Sequence, residues 1–244
     1  MYNEREYNNR EGVPITMLDT KQLKLLTTDD AVAQIKDEMI LGIGTGSTIE
    51  LLIPKIADKI KRDHLTIKGV CTSNKTAILA KEQQIDIVDI NDITYIDLAI
   101  DGADEVDPQL NLIKGGGGAL FREKVIDELA ARFVVLVDEQ KVVNYLGETF
   151  RLPVEVDKFN WQLIKAKIED YGHIRTELRI RDDVPFITDN GNYILDCELT
   201  TELDPYQLHE YLIHLTGVLE TGFFLDIADQ VIVGTQQGVK IKNK

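Results

Sequence analysis

Three short segments hold residue types from which a binding and proton-transfer site could be made. The first, Gly42-Ile43-Gly44-Thr45-Gly46-Ser47-Thr48, sets glycines and hydroxyls where an apolar run gives way to a helical pattern. Glycines let a backbone approach a ligand, and free N–H groups at a helix start favour an anion. The segment reads as a site for a small phosphate or a sugar hydroxyl, made from Thr45, Ser47, Thr48 and backbone N–H groups. The plainer alternative is a tight turn with Ser47 or Thr48 as the N-cap. A dinucleotide fingerprint would need glycine where Ser47 stands, and Thr72-Ser73-Asn74 supplies no ribose-binding acid after the second strand. Nor does a lysine follow as in a P-loop. NAD and ATP are both disfavoured.

The second segment is Asp101-Gly102-Ala103-Asp104-Glu105-Val106-Asp107. Alanine at position 103 breaks a D-x-D phosphatase motif, and positions 103 and 106 break an EF-hand. A solvated acidic turn is the ordinary alternative. Against it, Asp101 abuts an apolar run, where crowded carboxylates are costly without a partner or a task. Lys114, opening the third segment, could be that partner. Four glycines follow it, and Leu112-Ile113 before and Ala119-Leu120-Phe121 after argue against a floppy linker. Such a run can wrap a ligand with its N–H groups. Glu123 then falls in the first turn of the next helix, where a glutamate also suits the helix dipole. Phe121, Val125 and Leu129 define that helix's apolar face by i, i+4 spacing, which leaves Glu123 on another face.

Some scaffold must bring the three segments together. Residues 39–43, 65–71, 85–88, 96–100 and 133–137 read as strands, and 47–60, 75–83 and 119–132 as helices. Runs this apolar suit burial on both faces, so the rhythm predicts an α/β fold: a Rossmann-like, mainly parallel sheet flanked by helices. Beyond residue 141 the pattern changes. Strands are expected at 152–156 and 176–180, with a helix at 160–171. The turn Asp189-Asn190-Gly191-Asn192 predicts a hairpin joining 186–188 to 193–195. A helix at 205–215 and a strand at 218–225 complete a smaller inserted α+β domain, and 230–234 could return to the parallel sheet. The predicted division is a flexible N-terminal extension over 1–20, a Rossmann-like domain over 21–146 and 225–244, and the α+β domain over 147–224.

Composition narrows the function classes. The formal net charge of −15 repels nucleic acid and anionic membrane surfaces, so neither is an expected partner. It also means that a phosphate site needs its own local donors and lysines. Cys71 and Cys197 lie far apart, which argues against a disulfide scaffold and for a reducing, cytoplasmic setting. No apolar run approaches the ~18 residues of a membrane helix, and the polar N-terminus lacks the apolar core of a secretory signal. The four histidines form no H-E-x-x-H pattern, and no metal is expected.

Four motifs occur in one order: GTGST at 44–48, DGADEVD at 101–107, KGGGGAL with FREK at 114–124, and Lys141 within DEQKVV. Together they resemble the ribose-5-phosphate isomerase A family. The likeness runs from about Leu23 to Gly238 and includes LPVEV at 152–156, FITDNGNYILD at 186–196 and GTQQGVK at 234–240. It implies an aldose–ketose isomerase of the non-oxidative pentose phosphate pathway that needs no cofactor and assembles as a homodimer or homotetramer. Glu123 would be the proton acceptor, Lys114 the active-site lysine, and Asp101 and Asp104 the sugar-contacting carboxylates. Thr45, Gly46, Ser47 and Thr48 would bind substrate, with Ser47, Thr48, Lys141 and more weakly Lys24 at the phosphate. Gly102, Ala103, Gly115, Gly116 and Gly117 would complete the lining. The four-glycine run departs from the KGGGAA form of some members but keeps the lysine-to-glutamate spacing. A non-catalytic sugar-phosphate sensor from a transcriptional regulator would be expected to carry a basic helix-turn-helix before the sheet, where only about twenty acidic-to-neutral residues precede Lys21. An amino-sugar-phosphate deaminase or a CoA transferase would leave the joint placement of Asp101, Asp104, Lys114 and Glu123 unexplained.

Overall fold

The structure, a computed structural model, describes residues 17–201 and 203–244, together with two short strands, β1 (Tyr7–Asn8) and β2 (Pro14–Ile15), which pair with each other. The flexible extension expected over 1–20 lies largely outside the described residues. Helix α1 (Thr20–Ala33) starts at a capping box, in which Asp19 accepts from the Gln22 N–H and Gln22 reaches back to the Asp19 N–H. The chain then alternates: β3 (Ile40–Ile43), α2 (Ser47–Asp63), β4 (Lys68–Cys71), α3 (Asn74–Glu82), β5 (Leu98–Gly102). Short strands β6 (Glu105–Val106) and β7 (Leu112–Ile113) precede α4 (Leu120–Leu129) and β8 (Phe133–Asp138).

From there β9 (Leu152–Val156), α5 (Trp161–Gly172), β10 (Arg175–Leu178), β11 (Ile180–Arg181), β12 (Val184–Pro185), β13 (Tyr193–Glu198), α6 (Pro205–Ile213) and β14 (Val218–Thr221) follow. Strands β15 (Phe223–Phe224), β16 (Gln230–Thr235) and β17 (Gly238–Asn243) end the chain. The six-stranded sheet runs β17-β16-β8-β5-β3-β4, parallel throughout except for the antiparallel edge strand β17. Its alternating side chains feed two cores. Leu41, Ile43, Val134 and Leu136 pack beneath α1 and α2, whereas Phe133, Val135 and Val137 meet Leu120, Leu112 and Phe224 on the other face. A second, antiparallel sheet, β10-β13-β9-β14, packs α5 and α6 over a separate core around Val154, Ile168 and Leu212.

Four local expectations need correction. Residues 85–88 form no strand, only an isolated bridge between Ile87 and Gly69 at the sheet edge. The turn at 189–191 is real, with Gly191 at φ 87° and Thr188 N–H donating to Asn192 O, but 186–188 does not pair as a strand. Strand β13 is claimed instead by β10 and β9, so long-range pairing overrides the local hairpin signal. The strand expected at 218–225 breaks at Gly222, where a Cβ would stand 2.5 Å from Lys114 O. Lys114 N–H donates to Gly222 O at 2.9 Å, so that break anchors a site residue.

Helix α4 turns a different face inward from the one its apolar spacing predicts. Val125 and Leu129 are exposed, while Leu120, Glu123, Lys124, Ile126 and Asp127 are buried. Gly42 on β3 explains the rotation: a Cβ there would meet Ile126 Cγ2 at 2.6 Å, so the helix seats Ile126 directly on the strand. That orientation carries two carboxyl groups into the interior.

Candidate active site

Strands β3 and β5 are neighbours whose connections leave in opposite directions, the first to β4 and the second toward β8. Their carboxyl ends therefore open a crevice at a topological switch point. The Gly44–Thr48 turn and the Gly102–Asp104 turn form its two lips. With Lys24, Lys114, Gly115, Gly116, Gly117, Glu123 and Lys141 they line one cavity of about 160 Å³. All but one of the residues expected from the sequence meet there. Asp101 is the exception: it is wholly buried, behind Lys114, and does not form part of the wall.

The phosphate-sized end lies at the start of α2. Gly46 occupies the cap position at φ 116°, and no side chain caps the helix, so neither Ser47 nor Thr48 serves as N-cap. Its first N–H groups are left for a ligand. Lys24 Nζ reaches across from α1 to donate to Ser47 Oγ at 2.9 Å. Lys141 comes from a single turn after β8, its ammonium 5.7 Å from the Phe150 ring centre. Thr45 differs from the expected role. Its hydroxyl is committed to Thr72 at 2.6 Å and Ser73 at 2.8 Å, while its methyl faces the glycine run. Thr45 thus supplies wall and a backbone N–H, which donates to Asp101 Oδ1 at 3.0 Å.

The opposite end holds the charged cluster. Lys114 Nζ lies 2.6 Å from Asp101 Oδ2, 3.7 Å from Glu123 Oε2 and 3.8 Å from Asp127 Oδ2, and it donates to Gly102 O at 2.6 Å. The Phe224 ring, 5.2 Å away, closes one side. Burial alone would lower the Lys114 pKa, but Asp101, Glu123 and Asp127 together hold it above the ordinary lysine value. Glu123 is pushed up to about 8, chiefly by burial; Lys114 opposes the push, and Asp101 and Asp104 add to it. A carboxyl poised there can both take and return a proton near neutral pH.

The glycine run is shaped around these groups. Asp104 Oδ2 accepts from the Gly116 N–H at 2.7 Å, and a Cβ on Gly116 would sit 2.7 Å from Asp104 Oδ1. Gly44 is equally constrained, since a Cβ there would fall 1.9 Å from Asp101 Oδ1. Arg179, ion-paired with Asp196, donates to Gly115 O at 2.7 Å and ties the run to the second sheet. Sequence reading missed Arg179, Asp138, which lines the cavity, and Asp127. Asp127 was findable: it stands four residues after Glu123, on the same side of a helix.

Residues 68–238 match the family described as Ribose 5-phosphate isomerase A (phosphoriboisomerase A). "Ribose-5-phosphate isomerase A" of Staphylococcus haemolyticus is 72% identical over 93% of this chain and 99% of that protein. Its Staphylococcus aureus (strain COL) counterpart is 69% identical over 93% and 100%. Among solved structures, ribose 5-phosphate isomerase A from Methanocaldococcus jannaschii superposes with a TM-score of 0.88 at 39% identity, covering 93% of this chain and all of that one. A D-ribose-5-phosphate isomerase in complex with phospho-erythronic acid gives a TM-score of 0.90 at 42% identity, over 93% and 100%. The motifs that meet at the switch point are thus set in a match that spans most of the sequence, and the chain belongs to the ribose 5-phosphate isomerase A family.

Proposed function

We propose that Glu123 is the acid–base that moves a proton between C2 and C1 of a bound sugar phosphate, the hydroxyl proton lost from O2 and gained at O1 passing by way of Asp104 on the same cavity wall. The chain is an aldose–ketose isomerase that interconverts ribose 5-phosphate and ribulose 5-phosphate. That reaction needs one group to take and return a proton, and donors to hold the enediolate charge. The observation that carries the assignment is the placement of Glu123 on the cavity wall, with Lys114 Nζ at 3.7 Å and its pKa raised to about 8. Lys114, which lines the same cavity, is the donor assigned to the enediolate oxygen. Asp104 holds the glycine run and can accept from a sugar hydroxyl. Asp101, out of reach of substrate, anchors Lys114 rather than touching the sugar.

The phosphate is assigned to the N–H groups at the start of α2, with Ser47, Thr48, Lys141 and Lys24 around it. The ligand of one solved relative, phospho-erythronic acid, joins a phosphate to a planar carboxylate, the shape of an enediolate, and supports this two-ended reading. Lys141→Ala is expected chiefly to raise KM for ribose 5-phosphate and to change kcat little, since the phosphate supplies orientation rather than chemistry. An unchanged KM would remove Lys141 from the phosphate site. The acidic limb gives a second test. A base must be ionised to accept a proton, so the acidic limb of kcat/KM should rise with pH through about 8 in the free enzyme. A profile already flat from the ordinary carboxylate range upward would contradict the raised value.

The wider assignments belong to the same proposal. The separate core beneath α5 and α6 supports an inserted unit over 147–224 within a catalytic unit over 21–146 and 225–244. Phe159 and Leu163, 96% and 68% exposed at one end of α5, offer an apolar patch for a second copy in a homodimer or homotetramer, which sedimentation would measure. Free thiols at Cys71 and Cys197 suit the cytoplasm. The net negative charge disfavours nucleic acid and anionic lipid, and no helix among the described residues is long and apolar enough to cross a membrane.

A further inference from the structure

Three carboxyl groups crowd one ammonium behind the cavity, and the reaction as assigned uses only two of them. Asp127 lies one turn beyond Glu123 on the buried side of α4, its side chain 1% exposed. Among the described residues neither of its oxygens has a hydrogen-bond partner, and Lys114 Nζ at 3.8 Å is beyond hydrogen-bonding distance. Asp101 is better served. Lys114 stands 2.6 Å from its Oδ2, and the N–H groups of Thr45 and Gly102 donate to its Oδ1 at 3.0 and 2.7 Å.

Among the described residues, no cation besides Lys114 is paired with Asp127 from the elements packed against α4. Strand β5 brings Asp101, and the turn after it Asp104; β9 brings Glu155, held by Thr188, Asn190 and Asn192. Strand β14 brings Glu220, which occupies Lys124 at 2.6 Å, and Thr221 O takes a further Lys124 proton. Glu123 and Glu128 on α4 itself add negative charge. Were Asp101, Glu123 and Asp127 all ionised, one lysine would face three carboxylates with almost no water to screen them. A dry carboxylate without donors is the member that keeps its proton.

We propose that Asp127 is a positioning residue that stays protonated and uncharged in the working enzyme, backing Lys114 without adding a third negative charge, and that its ionisation ends activity on the alkaline side. The proposal rests on the roles given above to Glu123 and Lys114. An uncharged Asp127 leaves Lys114 balanced by Asp101, free to face the enediolate while Glu123 changes charge. Loss of the Asp127 proton to solvent would draw the ammonium inward and set an extra anion beside the developing oxyanion. Burial pushes the Asp127 carboxyl well above its ordinary value; Lys114 opposes this, and Asp101 and Glu123 reinforce it.

The test is infrared spectroscopy of the intact enzyme labelled with ¹³C at the aspartate side-chain carboxyl carbons. The expected result is a protonated-carboxyl band at neutral pH that is absent from Asp127→Asn and disappears from the wild type as pH rises. The kcat profile, normalised to each enzyme's own plateau, should fall with the same alkaline midpoint in the wild type and fall later or not at all in Asp127→Asn. Should that variant not fold, Asp127→Ala serves for the band and the profile. Absence of the band at neutral pH, its persistence in the variant, or an unmoved alkaline limb would each overturn the proposal. Failure of the Glu123 assignment is read separately, from the turnover of Glu123→Gln, in which the Asp127 carboxyl is still present to give its band.

Discussion

Glu123→Gln should lower kcat by roughly 10²–10⁴-fold, the usual worth of a positioned acid–base, while KM for ribose 5-phosphate stays near that of the wild type. The substitution keeps the size and most of the polarity of the side chain but cannot take a proton from carbon. Loss confined to kcat is the signature of an interaction used only in the transition state. Stability should not suffer. The folded-state pKa of Glu123 is raised from 4.5 to about 8, so its contribution is present at low pH and is lost as pH rises through that upper value. Glutamine does not ionise, and the variant should melt no lower than the wild type above that range. A folded Glu123→Gln enzyme with near-normal turnover would defeat the assignment.

Lys114→Met should lower both activity and stability. The ammonium is 2% exposed and lies 2.6, 3.7 and 3.8 Å from carboxyl oxygens of Asp101, Glu123 and Asp127. Removing one partner of a buried ion pair costs about 3–5 kcal/mol, because the remaining charge is left uncompensated. The carboxyls would respond by binding protons, which raises their folded-state values further. Stability gained from such raised groups is present below their unfolded values and lost as pH rises, so the melting temperature should drop more at about pH 9 than at about pH 6. Activity should fall by about 10²–10³-fold or more, the loss typical of a missing oxyanion donor. A variant equally stable at both pH values would show that Lys114 does not hold the cluster together.

Much of this site could be read from residue types alone, because its parts obey local rules. Glycines at 44, 46, 115, 116 and 118 sit where a backbone must pass close to a carboxylate or take a positive φ, and apolar runs end just before each motif. The parallel sheet is equally legible, since strands buried on both faces leave continuous apolar runs such as Phe133-Val134-Val135-Leu136-Val137. What escaped depended on distant partners. The inward face of α4 carries Glu123, Lys124 and Asp127, so an apolar-spacing rule selects Val125 and Leu129, which face outward. The motif suggests Asp101 as a sugar contact; the fold buries it against Lys114, off the cavity wall. The turn at 189–191 was recognised by its residues, yet the strand after it pairs with β9 and β10, a choice no local signal contains.

The central claim is that this cavity moves a proton between C1 and C2 by means of Glu123. Purified enzyme, treated with a chelator, should be given ribose 5-phosphate in D₂O and followed by NMR beside Glu123→Gln. The account predicts that ribulose 5-phosphate appears with the wild type, carrying solvent deuterium at C1, and that its formation nearly ceases in the variant. No ribulose 5-phosphate from the folded wild-type enzyme, or its formation at the same rate by Glu123→Gln, would contradict it.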